Sequence, residues 1–203
     1  MLSTCFVNGE RGMCMRLTRS VAVAAAGFVL AGMITGTETI GAFAAENTTQ
    51  DHAVEIALAD AGLSADDVTI DDVEKGTEQN ASVYEIEFHT DTREYEYDVA
   101  FADGEIVSMS WELLDPDVSG KQITQGKAKS IALDYAGVSE NKATFTKAKS
   151  GTDNGIPVYE FKFTDDDAEY KCDIAKEGGE ILNYSRTVLN PASVGAAAKT
   201  AAE

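Results

Sequence analysis

From Thr49 to Trp111 and again from Thr124 to Arg186 the chain repeats itself at a constant offset of 75 positions, with no gap. Gln50 falls on Gln125, Ile56-Ala57-Leu58 on Ile131-Ala132-Leu133, Ala61-Gly62 on Ala136-Gly137, Val83-Tyr84-Glu85 on Val158-Tyr159-Glu160, and Gly104-Glu105-Ile106 on Gly179-Glu180-Ile181. About 25 of the 63 aligned positions are identical, several times what ordinary residue usage gives by chance. Two copies are too few for a solenoid, which needs three or more to bury a continuous core. The duplication therefore predicts two tandem domains of one fold. Repeat 1 occupies 48–112 and repeat 2 occupies 122–188, with a linker at 113–121 that contains Pro116.

Each copy opens with a helix signal. Thr49 and Thr124 are N-cap residues, and Ala53, Ile56, Ala57 and Ala61, matched by Ala128, Ile131, Ala132 and Ala136, recur at helical spacing. Gly62 and Gly137 stand where a helix ends in a left-handed residue. The period then switches to two. Tyr84, Ile86 and Phe88 alternate with Glu85, Glu87 and His89, and Tyr95, Tyr97, Val99 and Phe101 alternate with Glu94, Glu96, Asp98 and Ala100. That alternation is the signature of half-buried strands. His89 to Thr92 reads as the hairpin loop between them, with Asp165 to Asp167 in the same place in repeat 2. A less regular strand near Val68 to Val73 and another from Glu105 to Trp111 complete the unit. The expected fold is α+β: two tandem repeats, each one helix packed on its own four-stranded, mostly antiparallel sheet. A unit of this size buries about 60% of its unfolded surface, so contact between the copies is expected to stabilise both.

Arg11, Arg16 and Arg19 precede an apolar run from Val21 to Met33, and Ala42-Phe43-Ala44 supplies a small-x-small cleavage pattern. The run has the length of a signal-peptide core, not of a relaxed membrane span. Residues 1–44 are thus read as a signal peptide, with Met15 as an alternative start. Cys5 and Cys14 lie ahead of the apolar run, so lipid anchoring is not expected, and cleavage leaves Cys172 as the one thiol. Cys172 occupies the place of Tyr97 at an inward strand position and is expected to be buried and inert. Residues 190–203 are Ala-rich and read as a disordered tail. These features place the protein outside the cytoplasm, secreted or in the cell envelope, with no membrane span once the leader is removed.

The charge is unevenly shared. Residues 48–117 hold 20 acids against two bases, whereas 121–190 hold 11 against ten. Such a field argues against nucleic acid and an anionic membrane surface as partners and steers the protein toward basic surfaces or cations. Strand parity sharpens this. If Ile86 and Phe88 pair inward with Tyr95 and Tyr97, then Glu87 must face Glu96 and Glu85 must face Asp98, while repeat 2 sets Lys162 against Lys171. Opposed like charges cost a few tenths to about 1 kcal/mol per pair. The outward residues Glu85, Glu87, Glu94, Glu96 and Asp98 are therefore the candidate partner-binding face, a solvated acidic surface being the bland alternative.

Catalytic signals are lacking. His52 and His89 are the only histidines, and no Gly-x-Ser-x-Gly, phosphate-cradling loop or Cys-x-x-Cys pair is present. No catalytic residue, cofactor or built metal site is assigned. Asp66-Asp67, Asp71-Asp72 and Asp165 to Asp167 have calcium-type oxygen ligands without the spacing of an EF-hand, so calcium stays a weak candidate ligand. Trp111 and the tyrosines Tyr84, Tyr95, Tyr97, Tyr159 and Tyr170 are read as packing residues.

The series Thr-x-x-x-Ala-x-x-Ile-Ala-Leu ending in Ala-Gly, then Val-Tyr-Glu-(Ile or Phe)-x-Phe, Tyr-x-(Tyr or Cys)-Asp-(Val or Ile) and Gly-Glu-Ile resembles the PepSY domain, and both copies carry it. The resemblance implies a non-catalytic secreted module that inhibits or modulates a peptidase. The sequence contains no His-Glu-x-x-His segment, so that peptidase is expected to be a separate molecule. The alternative function is an acidic envelope module that binds divalent cations or a basic ligand without effect on proteolysis. The pairing of two helix-plus-four-strand repeats is also similar in outline to the β-lactamase inhibitor protein, a likeness of architecture alone.

Overall fold

The computed structural model describes residues 47–192. The leader expected at 1–44 and the tail beyond Ala192 lie outside the described residues. In repeat 1 helix α1 (Gln50–Ala61) and a single 3-10 turn (Ala65–Asp67) are followed by β1 (Thr69–Glu78), β2 (Ala81–His89), β3 (Arg93–Ala100) and β4 (Ile106–Leu113). In repeat 2 the helix and the four strands recur as α2 (Gln125–Ala136), β5 (Thr144–Asp153), β6 (Ile156–Thr164), β7 (Ala168–Ala175) and β8 (Ile181–Val188). Each helix and strand of the second set starts and stops 75 residues after its counterpart.

The local causes match as well. The Thr49 hydroxyl accepts from the His52 amide at 3.3 Å and that of Thr124 from the Lys127 amide at 3.2 Å, each satisfying an amide left free in the first helical turn. Both helices end at a left-handed glycine, Gly62 at φ 71° and Gly137 at φ 69°, a conformation that a Cβ disfavours.

The arrangement of the strands corrects one expectation. They do not make two sheets but a single eight-stranded one, in the order β1-β2-β3-β4-β8-β7-β6-β5, antiparallel at every junction. The physical reason is the last strand of each repeat. Left alone, β4 and β8 would each present a row of unpaired backbone donors and acceptors. Pairing them removes both edges at once. Ser110 pairs with Ser185, its own equivalent, and the flanking pairs mirror one another: Ser108 with Thr187 against Glu112 with Asn183, and Met109 with Arg186 against Trp111 with Tyr184. A local two-fold axis therefore passes between the two serines, perpendicular to the sheet, and puts both helices on the same face.

That helix-covered face holds the main core. α1 packs on β2 and β3, α2 on β6 and β7. Ala53, Ala57 and Leu58 of α1 and Ala128, Ala132 and Leu133 of α2 join Ile86, Phe88, Tyr97, Phe161, Phe163 and Cys172 in one continuous apolar cluster. Small alanines let the helix axes approach the sheet closely while the aromatic rings fill the layer between them. Phe88 stacks on Tyr95 at 4.9 Å and Phe163 on Tyr170 at 5.0 Å, the same contact in both repeats. Cys172 is fully buried, and burial pushes its thiol up to about 12. The segment between β4 and α2 is anchored by bonds from the Leu114 amide to the Thr92 carbonyl and from the Ile123 amide to the Lys176 carbonyl. Its Val118 packs on Val158 and Leu182 on the opposite, open face.

Among the described residues no helix is long and apolar enough to cross a membrane.

Candidate functional site

The face of the sheet away from the helices carries the outward side chains, and its register fixes which of them are neighbours. Glu87 pairs with Glu96 and Glu85 with Asp98, so the five acidic residues singled out from strand parity share one surface. β1 adds to it. Asp72 pairs with Glu87 and Glu74 with Glu85, while Glu112 of β4 pairs with Glu94. With Glu78 opposite Ala81 at the end of β1, nine carboxylates lie on the open face of repeat 1: Asp72, Glu74, Glu78, Glu85, Glu87, Glu94, Glu96, Asp98 and Glu112. The four that parity within a single hairpin missed sit on flanking strands. For two of them the signal was the 75-residue offset, which sets Asp72 against Lys147 and Glu74 against Lys149.

Among the described residues, no cation of repeat 1 stands on this surface. The two bases of repeat 1, Lys75 and Arg93, are both used elsewhere. Lys75 lies over the rings of Tyr84 and Phe101 at 5.8 and 5.5 Å, and the Arg93 guanidinium over Trp111 at 4.3 Å, all on the helix side.

Repeat 2 presents the same backbone with a different charge pattern. Lysine replaces the carboxylate at four equivalent positions, Asp72 to Lys147, Glu74 to Lys149, Glu87 to Lys162 and Glu96 to Lys171, while Asp153, Glu160, Glu169 and Asp173 stay acidic. The opposite charges find one another. Lys147 and Lys149 both reach Glu160, the latter at 3.5 Å, and Lys162 reaches Glu169 at 2.9 Å. Because β4 and β8 are joined, one row crosses all eight strands: Asp72, Glu87, Glu96, Ser110, Ser185, Lys171, Lys162, Lys147. At about 4.7 Å per strand the row spans roughly 33 Å, acidic at one end and cationic at the other.

Proton affinities on the face follow burial and the neighbouring charges. Desolvation and then the fields of Glu96, Asp72, Glu94 and Glu74 hold the Glu87 carboxyl above its ordinary value. Asp98 is pushed up to about 7, by desolvation first and then by Glu78, Glu85 and Glu96. In repeat 2 the hydrogen bond from Lys147 lowers Glu160. A group of acids that raise one another's proton affinity gains most from an incoming positive charge.

The other candidates resolve into structure. His89 Nδ1 lies 2.6 Å from the Asp71 carboxylate, and His52 Nδ1 lies 3.1 Å from that of Glu55. Asp165 caps its own turn, accepting from the amides of Asp167 and Ala168 at 3.0 and 2.8 Å and from the Tyr170 hydroxyl at 3.3 Å. Trp111 is 3% exposed and donates from Nε1 to the Tyr135 hydroxyl of α2 at 2.8 Å, so it packs at the seam between repeats. Among the described residues no group of three or more His, Cys, Asp or Glu side chains is placed to hold a metal ion.

Fold and surface together define a class: a duplicated helix-on-sheet module with one covered and one charged, open face. Family models agree on what the duplicated unit is. The PepSY model, described as peptidase propeptide and YPEB domain, matches residues 49–109, and the model of the YpeB sporulation PepSY1 and PepSY2 domains matches residues 110–202. The chain belongs to the PepSY family, with its domains in tandem. An uncharacterized protein of Streptococcus pyogenes serotype M6, Spy1430, is 38% identical over 69 residues, which are 34% of this chain and 53% of the relative. The chain thus spans about half the length of that curated relative. Among solved structures, the CD1622 protein of Clostridium difficile 630 is similar at 18% identity and a TM-score of 0.29, over 69% of this chain and 94% of that one.

Proposed function

We propose that this protein is an extracytoplasmic binding module without catalytic machinery that inhibits or modulates a separate peptidase, and that it meets its partner through the open face of repeat 1. The observation that carries this reading is the set of nine carboxylates on one sheet face, with both cations of the repeat turned to the other face. Opposed pairs such as Glu87 with Glu96 cost stability when the surface is free, and a basic partner relieves that cost. The family supports the direction, since PepSY domains are associated with peptidase propeptides. The carboxylates are spread over four strands, which suits a distributed basic patch on a protein better than one chelated ion. The leader read at 1–44 supports a site of action outside the cytoplasm.

Titrating mature protein into the secreted peptidases of the producing cell tests the reading. A saturable, stoichiometric fall in one peptidase's activity is expected, lost in Glu87→Lys/Glu96→Lys while the variant stays folded. No fall for any of them, or a fall unchanged in the variant, contradicts it.

A further inference from the structure

Repeat 2 shows what repeat 1 lacks. Glu160 on β6 and Glu85 on β2 are equivalent residues in equivalent poses: each folds its carboxylate over the glycine opposite the next valine along its strand, Gly151 and Gly76, where any side chain would collide with it. A glycine lies under the carboxylate in both copies and leaves room for a glutamate to lie flat on the open face. In repeat 2 that glutamate is occupied. The ammonium groups of Lys147 and Lys149, two residues apart on the outermost strand, both converge on it. In repeat 1 the two positions that supply those ammonium groups are Asp72 and Glu74, so the same flat glutamate has further anions beside it in place of internal cations.

The geometry points to Glu85, with Asp72 and Glu74 beside it, as a seat for two cationic side chains spaced like alternate residues of an extended segment, a Lys-x-Lys type element of the protein partner. This deepens the function proposed above and rests on its reading of the face. Side chains at i and i+2 of an extended strand point the same way about 6.6 to 6.8 Å apart, and Lys147 and Lys149 demonstrate that this spacing delivers two ammonium groups to one flat carboxylate. A segment carrying the same spacing over β1 and β2 would set its cations against three carboxylates instead of one. Glu87, next along the row and opposite Asp72, extends the field toward β3. The seat is thus the intramolecular ion pair of repeat 2 turned outward to receive a partner.

Exchanging the seats between repeats tests this with a defined probe, tetralysine, titrated by calorimetry into the full chain at low ionic strength. Wild type is expected to bind one peptide per chain. Asp72→Lys/Glu74→Lys fills the seat internally and should lower affinity at least tenfold while raising Tm. Lys147→Asp/Lys149→Glu empties the seat of repeat 2 and should raise the stoichiometry to two. Asp66→Lys/Asp67→Lys makes the same change in net charge away from the face and should change affinity less than twofold. Equal loss in the Asp66/Asp67 and Asp72/Glu74 variants, or an unchanged stoichiometry in the Lys147/Lys149 variant, overturns the seat and leaves only bulk charge. Peptidase inhibition measured on the same variants separates the two readings: tetralysine binding with no inhibition sinks the peptidase role alone, and inhibition that ignores Asp72 and Glu74 sinks the seat alone.

Discussion

The two repeats share a backbone and part company on one surface. Much of their helix-facing core is identical, as at Phe88 and Phe163, Tyr95 and Tyr170, and Ala57 and Ala132, and lies in one apolar cluster. Their open faces differ in charge at five of the nine acidic positions, four carboxylates being lysine in repeat 2 and Glu112 being Thr187. Among the described residues, the open face of repeat 2 holds three ion pairs, whereas that of repeat 1 gathers nine carboxylates. The core is held alike because packing decides folding in both copies. The open face is free to differ because water tolerates either charge pattern.

The largest expected effect lies where the two copies are least alike on the helix side. Trp111→Ala should cost about 3–5 kcal/mol, since the ring is buried at the seam and holds Tyr135 of the other repeat. The equivalent Arg186→Ala should cost no more than about 1 kcal/mol. Chemical denaturation of the two variants measures the difference, and equal losses would show that Trp111 is not what holds the seam.

Acidity separates the copies next. The folded value of Asp98, about 7, lies above that of an unfolded aspartate. The folded state therefore binds more protons than the unfolded one between roughly pH 4 and 7. The contribution is full below the lower value and is lost as pH rises through the upper. Tm should fall from pH 5 to pH 8, and Asp98→Asn should flatten that slope. Asp173, also raised, accepts from the Asn183 amide at 3.2 Å, a bond that favours its charged form, so Asp173→Asn should flatten it less.

Single charge reversal is a smaller probe. Glu96→Lys replaces a like pair with an opposite one across from Glu87 and should stabilise repeat 1 by a few tenths to about 1 kcal/mol. An unaltered Tm would mean that solvent already screens the face completely. The smallest effect concerns Cys172, whose thiol is held near 12. It should stay unmodified by a thiol reagent at pH 8 in the folded protein and react at once in denaturant.

Much of this was legible in the residues because each feature has a short period. The caps at Thr49 and Thr124, the glycine stops and the pairing of Glu87 with Glu96 follow from helical spacing and strand parity, which tertiary structure does not disturb. The joining of β4 to β8 has no such signature. Ser108, Ser110, Ser185 and Thr187 alternate with larger residues as they would on an exposed edge, and only the approach of the two copies decides that these edges meet. The carboxylates of Asp72, Glu74 and Glu112 were hidden for a related reason. β1 carries a register shift between Ile70 and Asp72 that spoils simple alternation, and Glu112 joins the face through β3.

Amide NMR of the isotope-labelled full chain, titrated with tetralysine at low ionic strength, asks most directly whether one copy has been set aside for recognition. Shifts confined to the strands that carry Asp72 to Asp98 are predicted, with the equivalent span from Lys147 to Asp173 unmoved. Shifts of equal size in both copies, or in repeat 2 alone, would contradict the account.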